Sequence, residues 1–238
     1  MKPRFARRLA GIPTVAAVAM WVLVGAASLA HAGNEKSSTP PVDLLERSAA
    51  DATTLDRLFA SFRSVTNFEA NFQEEKKLTL LVRPLRSEGT LYFDREHGLV
   101  RQTTTPASRV QKLRLTEASL TLWNGTVTEE VKLEQSKDLS ALALSFPRIL
   151  RGDHVGLGKT FSIKMQGSDA SWWALTLGPK DDSLKRMLSH ITVIGQGALV
   201  HSVGVYEANG DRTSTTFTDV RKNTTKTAAE TEALFRLP

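Results

Sequence analysis

Cysteine is absent from all 238 residues, which excludes a disulfide framework, a thiolate metal site and a thiol nucleophile. It also leaves no residue after the leader that could be lipidated. A chain of this length does not need disulfides, because its core is large enough. An excess of one charge is missing as well. The whole chain carries 31 basic and 25 acidic residues, but Lys2, Arg4, Arg7 and Arg8 all fall in the first 32, where no acid occurs. The remainder is 27 against 25, near neutral at +2. Its cations are interspersed with acids, which argues against a nucleic-acid partner. There is no convincing internal repeat.

Catalytic signatures are equally scarce. His97, His154, His190 and His201 have neither the H-x-x-x-H spacing nor the paired carboxylates of a metal site. No G-x-S-x-G elbow occurs. Gly152 to Thr160, GDHVGLGKT, resembles a phosphate loop, but its glycines are one residue too far apart and no buried strand feeds it. Asp181-Asp182 reads as a solvated turn. Asn124-Gly-Thr126 and Asn223-Thr-Thr225 match short glycosylation sequons in turn-like stretches. Neither a cofactor nor a metal is expected, and an exported hydrolase is the weakest reading.

A basic start, a mostly apolar run from Ile12 to Leu29 and Ala30-His31-Ala32 read as a cleaved secretory signal peptide over residues 1–32. The mature chain is therefore expected to start at Gly33 and to be exported. The alternative is an uncleaved anchor. Arg7-Arg8 lacks the residues that should follow a twin-arginine pair. Residues 33–41, GNEKSSTPP, read as a polar linker, and 42–238 as one domain with no further segment apolar enough to span a membrane.

Leu55, Leu58, Phe59 and Phe62 form one stripe at helical spacing, with Thr53 or Thr54 available as cap. From Val65 the period becomes two: Phe68, Ala70 and Phe72 alternate with Glu69, Asn71 and Gln73, and Leu78, Leu80 and Val82 continue that parity past a charged break at Glu74 to Lys77. Strands are predicted at 89–95, 98–104, 108–115, 119–124 and 127–134, an antiparallel meander. Asp138 to Leu150 breaks it with a short apolar helix, capped by Asp138 and stopped or kinked by Pro147. This segment suits either a lid over a concavity or an ordinary core helix. Strands return from Phe161 to Val220, with a hairpin turn at Asn209-Gly210. Residues 230–238 read as a short helix or turn and a final strand.

Within Gly89 to Pro106, Leu91, Phe93 and Arg95 share one strand face. A guanidinium ending an apolar row needs acceptors, and the free carbonyls at a helix end would serve. The alternative is an edge arginine whose stem packs while its head reaches water. Phe68, Phe72, Leu91 and Phe93 are candidate floor residues of an apolar cavity.

Gly89-Thr-Leu-Tyr-Phe-Asp-Arg95 with Pro106 eleven residues on resembles the LolA family of periplasmic lipoprotein carriers. Phe68-Glu-Ala-Asn-Phe72-Gln73, Leu175-Thr-Leu-Gly-Pro179-Lys180, Asn209-Gly-Asp-Arg-Thr213 and Phe235-Arg-Leu-Pro238 are similar to further family motifs in the same order. The resemblance implies an α+β fold, a curved and incompletely closed antiparallel half-barrel whose apolar cavity is covered by helices from Pro41 to Arg63 and Asp138 to Leu150. It implies a carrier and not an enzyme, with acylated lipoprotein or other lipid cargo, transient inner-membrane exporter and outer-membrane acceptor partners, and a monomer in the periplasm. It carries a lid-latch role onto Arg95 only; Leu99, Leu142 and Phe146 are further candidates for the cavity. Glu96, Leu99 and Arg101 depart from the family pattern and imply a related member. A LolA-like lipid-sensing module is the alternative function.

Overall fold

The computed structural model describes residues 39–104 and 110–237. The leader, most of the linker, Pro106 and Pro238 lie outside those residues. The expected α+β half-barrel is what forms. One antiparallel sheet runs in the order β6-β5-β4-β3-β2-β1-β11-β10-β9-β8-β7, and its edge strands β6 and β7 do not pair, so the sheet stays open. Its strands are β1 (Asn67–Lys77), β2 (Leu85–Asp94), β3 (Gly98–Thr104), β4 (Val110–Leu115), β5 (Ser119–Trp123) and β6 (Thr128–Lys132), then β7 (Phe161–Gly167), β8 (Trp172–Pro179), β9 (Leu188–Gln196), β10 (Leu199–Glu207) and β11 (Arg212–Lys222). First and last strands of the chain meet at the centre, where β1 pairs with both β2 and β11. Each half of the meander thus hangs from β1 and β11.

Helices fill the concave side. α1 (Ala52–Arg63) is capped by Asp51, whose carboxylate accepts from Thr54 N–H at 2.7 Å, in place of the predicted Thr53 or Thr54. Its stripe buries Leu58, Phe59 and Phe62 completely, and Phe62 meets Trp173 edge-on at 5.8 Å. α2 (Lys137–Arg151) lies beside it, with Ser136 as cap instead of Asp138. Pro147 sits inside α2 and neither ends it nor shortens its final turn. The missing N–H forgoes one helical bond, and burial of Pro147 and of Ile149 and Leu150 beyond it holds that turn. α3 (His154–Thr160) occupies the glycine-rich stretch, and α4 (Asp182–Lys185) follows Asp181. α5 (Ala228–Phe235), opened by a Thr227–Glu230 capping box, packs on the convex face, where Phe235 meets Tyr92. No final strand forms among the described residues.

Gly152 joins α2 to α3 at φ +71°, and a Cβ there would lie 2.4 Å from the Phe59 carbonyl oxygen. Gly152→Ala is therefore expected to lower the unfolding free energy by about 1–2 kcal/mol from the left-handed backbone alone. An unchanged urea midpoint would contradict this.

The largest departure from the sequence expectation is in β1. The charged segment from Glu74 to Lys77 is strand, not a break, and Leu78, Leu80 and Val82 leave the sheet as a loop. Glu74 and Lys76 keep the inward parity of Phe68 and Phe72 because each finds partners inside, as described below. The apolar residues that follow have none, and Leu80 and Val82 stand in solvent.

Candidate functional site

Between α2 and the concave face lies an apolar cavity of about 80 Å³. Phe72, Leu91 and Leu99 line it from β1, β2 and β3, while Leu142 and Phe146 line it from α2. Five of the seven apolar candidates are therefore brought together. Phe68 and Phe93 are not on its wall. Both point to the correct face but lie nearer the C-terminal ends of α1 and α2, where helices and sheet close into solid core. Phe68 packs edge-on against Phe217 at 6.0 Å, and the Arg151 guanidinium covers the Phe93 ring at 5.6 Å. The remaining wall was missed. Ile191, Val193, Val203, Val205 and Phe217 supply it from β9, β10 and β11, and their alternation in sequence was the available signal.

Close packing here needs Gly89. A Cβ at that position would approach the Phe72 ring to 3.0 Å and the Gln102 carbonyl oxygen to 2.0 Å. Phe72 can therefore lie across β2 only because residue 89 has no side chain.

The polar residues of the wall have turned onto partners. Ser145 donates to the Leu142 carbonyl at 2.7 Å, and Thr215 Oγ1 donates to Glu74 Oε2 at 2.9 Å. Arg101 reaches Glu74 Oε1 through Nη2 at 3.0 Å and stacks over the Phe72 ring at 4.1 Å. The pair is almost wholly buried, with side-chain exposures of 5% and 1%. Burial pushes the Glu74 carboxyl above its ordinary range, against the opposite pull of Arg101, Thr215 and Ser87. One register step pair further out, buried Lys76 faces Glu207 at 3.4 Å.

These groups have a common direction. On β1 the inward row runs Phe68, Ala70, Phe72, Glu74, Lys76; on β3 it runs Leu99, Arg101, Thr103; on β11, read backwards, Phe217, Thr215, Thr213. The concave face therefore changes from apolar to polar towards the end that carries the β1–β2 and β10–β11 connections. Nothing in composition foretold that gradient, although each inward row spells it out.

Arg95 sits at the opposite end. Its Nε and Nη2 donate to the Val65 carbonyl at 3.1 and 2.8 Å, and Nη2 also reaches the Phe62 and Arg63 carbonyls, both at 3.1 Å. Nη1 donates to the Arg151 carbonyl at 3.2 Å. The guanidinium thus ties the C-terminal ends of α1 and α2 to the β2–β3 turn. Most of its acceptors belong to α1 and the residues after it, not to the 138–150 helix alone. Arg151 answers by donating to the Arg95 carbonyl at 3.3 Å and pairs with Glu117. Burial, then the neighbouring Arg151 charge, lower the Arg95 pKa from its usual value. The C-terminal ends of helices normally attract cations, because their last carbonyls are unpaired and the dipole is negative there.

Among the described residues no cluster of three or more His, Asp and Glu side chains could hold a metal ion, and no helix is long and apolar enough to cross a membrane. His190 stacks on Tyr206, and burial lowers its pKa and that of His201.

No curated protein matches this chain. Among solved structures, a LolA superfamily protein from Nitrosomonas europaea superposes with a TM-score of 0.43 at 12% identity, over 79% of this chain and 99% of that one. The lipoprotein LppX of Mycobacterium tuberculosis gives 0.41 at 10% identity, over 75% and 99%. Residues 47–237 match the family described as outer membrane lipoprotein carrier protein LolA-like, and the chain belongs to that family.

Proposed function

We propose that the protein is a periplasmic carrier that shields the acyl chains of a lipoprotein or lipid-linked product between an inner-membrane exporter and an outer-membrane acceptor. It works as a monomer and performs no chemistry on its cargo. The observation that carries this reading is the cavity under α2, whose polar lining groups are turned onto partners and whose wall is otherwise hydrocarbon. Each methylene kept from water there is worth about 0.8 kcal/mol, so a lined cavity suffices to hold a chain.

The cavity as it stands is too small for that task. A dry cavity of roughly 150 Å³ holds one benzene, against about 80 Å³ here, and an acyl chain is much larger than benzene. Loading therefore requires α2 to lift from the sheet, and the described state is the closed one. Arg95 is the latch in this scheme, since it grips the ends of both helices.

Filling the cavity provides the test. Leu142→Trp places an indole on the α2 side of the space and is expected to weaken binding of a fluorescent fatty acid at least about tenfold. Overpacking costs about 1–3 kcal/mol of stability, so the fold should survive. Equal affinity in a variant with a native circular dichroism spectrum would remove the cavity from the site.

A further inference from the structure

The connection between β1 and β2 carries three consecutive exposed aliphatic residues. Leu80 is 94% exposed, Leu81 46% and Val82 102%. Three consecutive aliphatic side chains at the tip of a central hairpin serve no core. Nor is the loop left loose. Thr79 donates from its backbone N–H and its hydroxyl to Asp211 Oδ1 at 2.7 and 3.0 Å, and Leu81 N–H closes a turn onto Leu78 O at 3.0 Å. Asp211 is itself buried in the β10–β11 connection and receives the Asn209 amide. Two hairpins are thereby stapled side by side, and the staple holds the aliphatic tip outward.

The surroundings are those of a surface that meets lipid. Lys77 and Arg86 flank the tip, are mostly exposed and share one acid, Glu75. Arg83 directly follows Val82 and is exposed, and Glu88 is a further exposed acid on β2. Residues 74–88 carry four cations and three acids, and Glu207, Asp211 and Arg212 of the stapled connection bring this end to neutral, so what favours lipid is local placement: Lys77, Arg83 and Arg86 stand exposed next to an uncharged, aliphatic point. Long basic side chains around a small apolar wedge suit the headgroup layer, where stems lie in the boundary and charges meet phosphate. The same end of the sheet is the polar end of the concave face, where Glu74, Lys76 and Arg101 lie.

We propose that residues 78–84 form a membrane-contact tip, in which Leu80, Leu81 and Val82 enter the interfacial layer of a phospholipid bilayer and Lys77, Arg83 and Arg86 bear on its phosphates. The occupant is a lipid surface and not a protein groove, because the apolar group is a convex point with cations behind it. The proposal rests on the exposed tip and its staple, not on the cavity. It deepens the carrier reading by giving the carrier a way to park at the membrane where cargo changes hands.

The test is co-sedimentation of the full mature chain with vesicles of phosphatidylethanolamine and phosphatidylglycerol. The parent protein should partition to the vesicles, and Leu80→Ser/Val82→Ser should reduce that partitioning by roughly tenfold or more, since two aliphatic side chains are lost from the interface. Arg83→Glu should weaken binding mainly to the anionic vesicles, and the weakening should fade as salt is raised. All variants alter exposed side chains, so unfolding midpoints and fatty-acid uptake should match the parent. Equal partitioning of parent and Leu80→Ser/Val82→Ser overturns the proposal. So does a parent that ignores vesicles, or whose tip variants lose only self-association or a protein complex. Loss of fatty-acid uptake in the parent with intact vesicle binding would count against the carrier reading alone.

Discussion

Arg95→Leu is expected to accept an acyl probe at least as readily as the parent protein and to fail in handing it to an acceptor. The guanidinium makes five hydrogen bonds to main-chain carbonyls, drawn from the ends of both helices that cover the concavity. Hydrogen bonds from a charged group contribute roughly 1.5–3 kcal/mol each when truly broken, and water reaching the loosened turn will recover part of that. A loss of about 3 kcal/mol in the closed state is therefore a reasonable scale, enough to raise the open population more than a hundredfold. In the proposed carrier cycle loading needs opening and gains from it, and release gains from closing, because a shut cavity expels what it cannot contain. Arg95→Lys should fall between the two, since a single ammonium cannot span the Val65, Phe62 and Arg151 carbonyls together. Loading measured by probe fluorescence and transfer to acceptor vesicles or protein, taken separately, check this. Normal transfer by Arg95→Leu would reduce the latch to a structural clamp.

The second large effect concerns the buried pair inside the sheet. Glu74→Leu removes the carboxylate that faces Arg101 and leaves that charge beside Phe72 without it, at an expected cost of about 3–5 kcal/mol. Glu74→Leu/Arg101→Leu should recover most of the loss, or exceed the parent, because apolar replacement of a buried pair is often neutral or stabilising. Such a variant would also extend the apolar wall towards the polar end. The pH dependence has a definite sign. Glu74 holds its proton more tightly in the folded chain than in the unfolded one, since its carboxyl is pushed upward by burial. Stability from this group is therefore complete below the ordinary glutamate range and declines as pH rises towards the raised folded value. Urea unfolding across that interval should show the decline in the parent and not in the double variant. A double variant as unstable as Glu74→Leu alone would contradict the account.

How legible this was in the sequence differs from element to element. The half-barrel architecture came from the family resemblance, whereas the strands themselves were readable because alternation marks a half-buried antiparallel strand, and β3, β5 and β10 fall close to where period-two runs place them. Helix caps were misread by two or three residues. Any polar side chain near a helix start is a plausible cap, and only geometry selects Asp51 and Ser136. β1 was misread at Glu74 to Lys77 for a better reason: charge on an inward row looks like a break until its partners are known, and those partners lie 27 and 141 residues away on other strands. The same error hid the loop from Leu78 to Pro84, whose aliphatic residues imitate a continuing strand. Phe68 and Phe93 show the limit of face assignment. Alternation says which side a residue takes, but not whether the layer above it is helix or void.

The most direct test of the central claim is native mass spectrometry of the mature chain, purified without detergent and then incubated with an excess of acyl lipid. Binding under α2 predicts a discrete mass increment of one acylated ligand per chain, lost in Leu142→Trp and kept in Arg95→Leu. A chain that remains at its bare mass, or one that gains the same ligand when residue 142 is tryptophan, would contradict it.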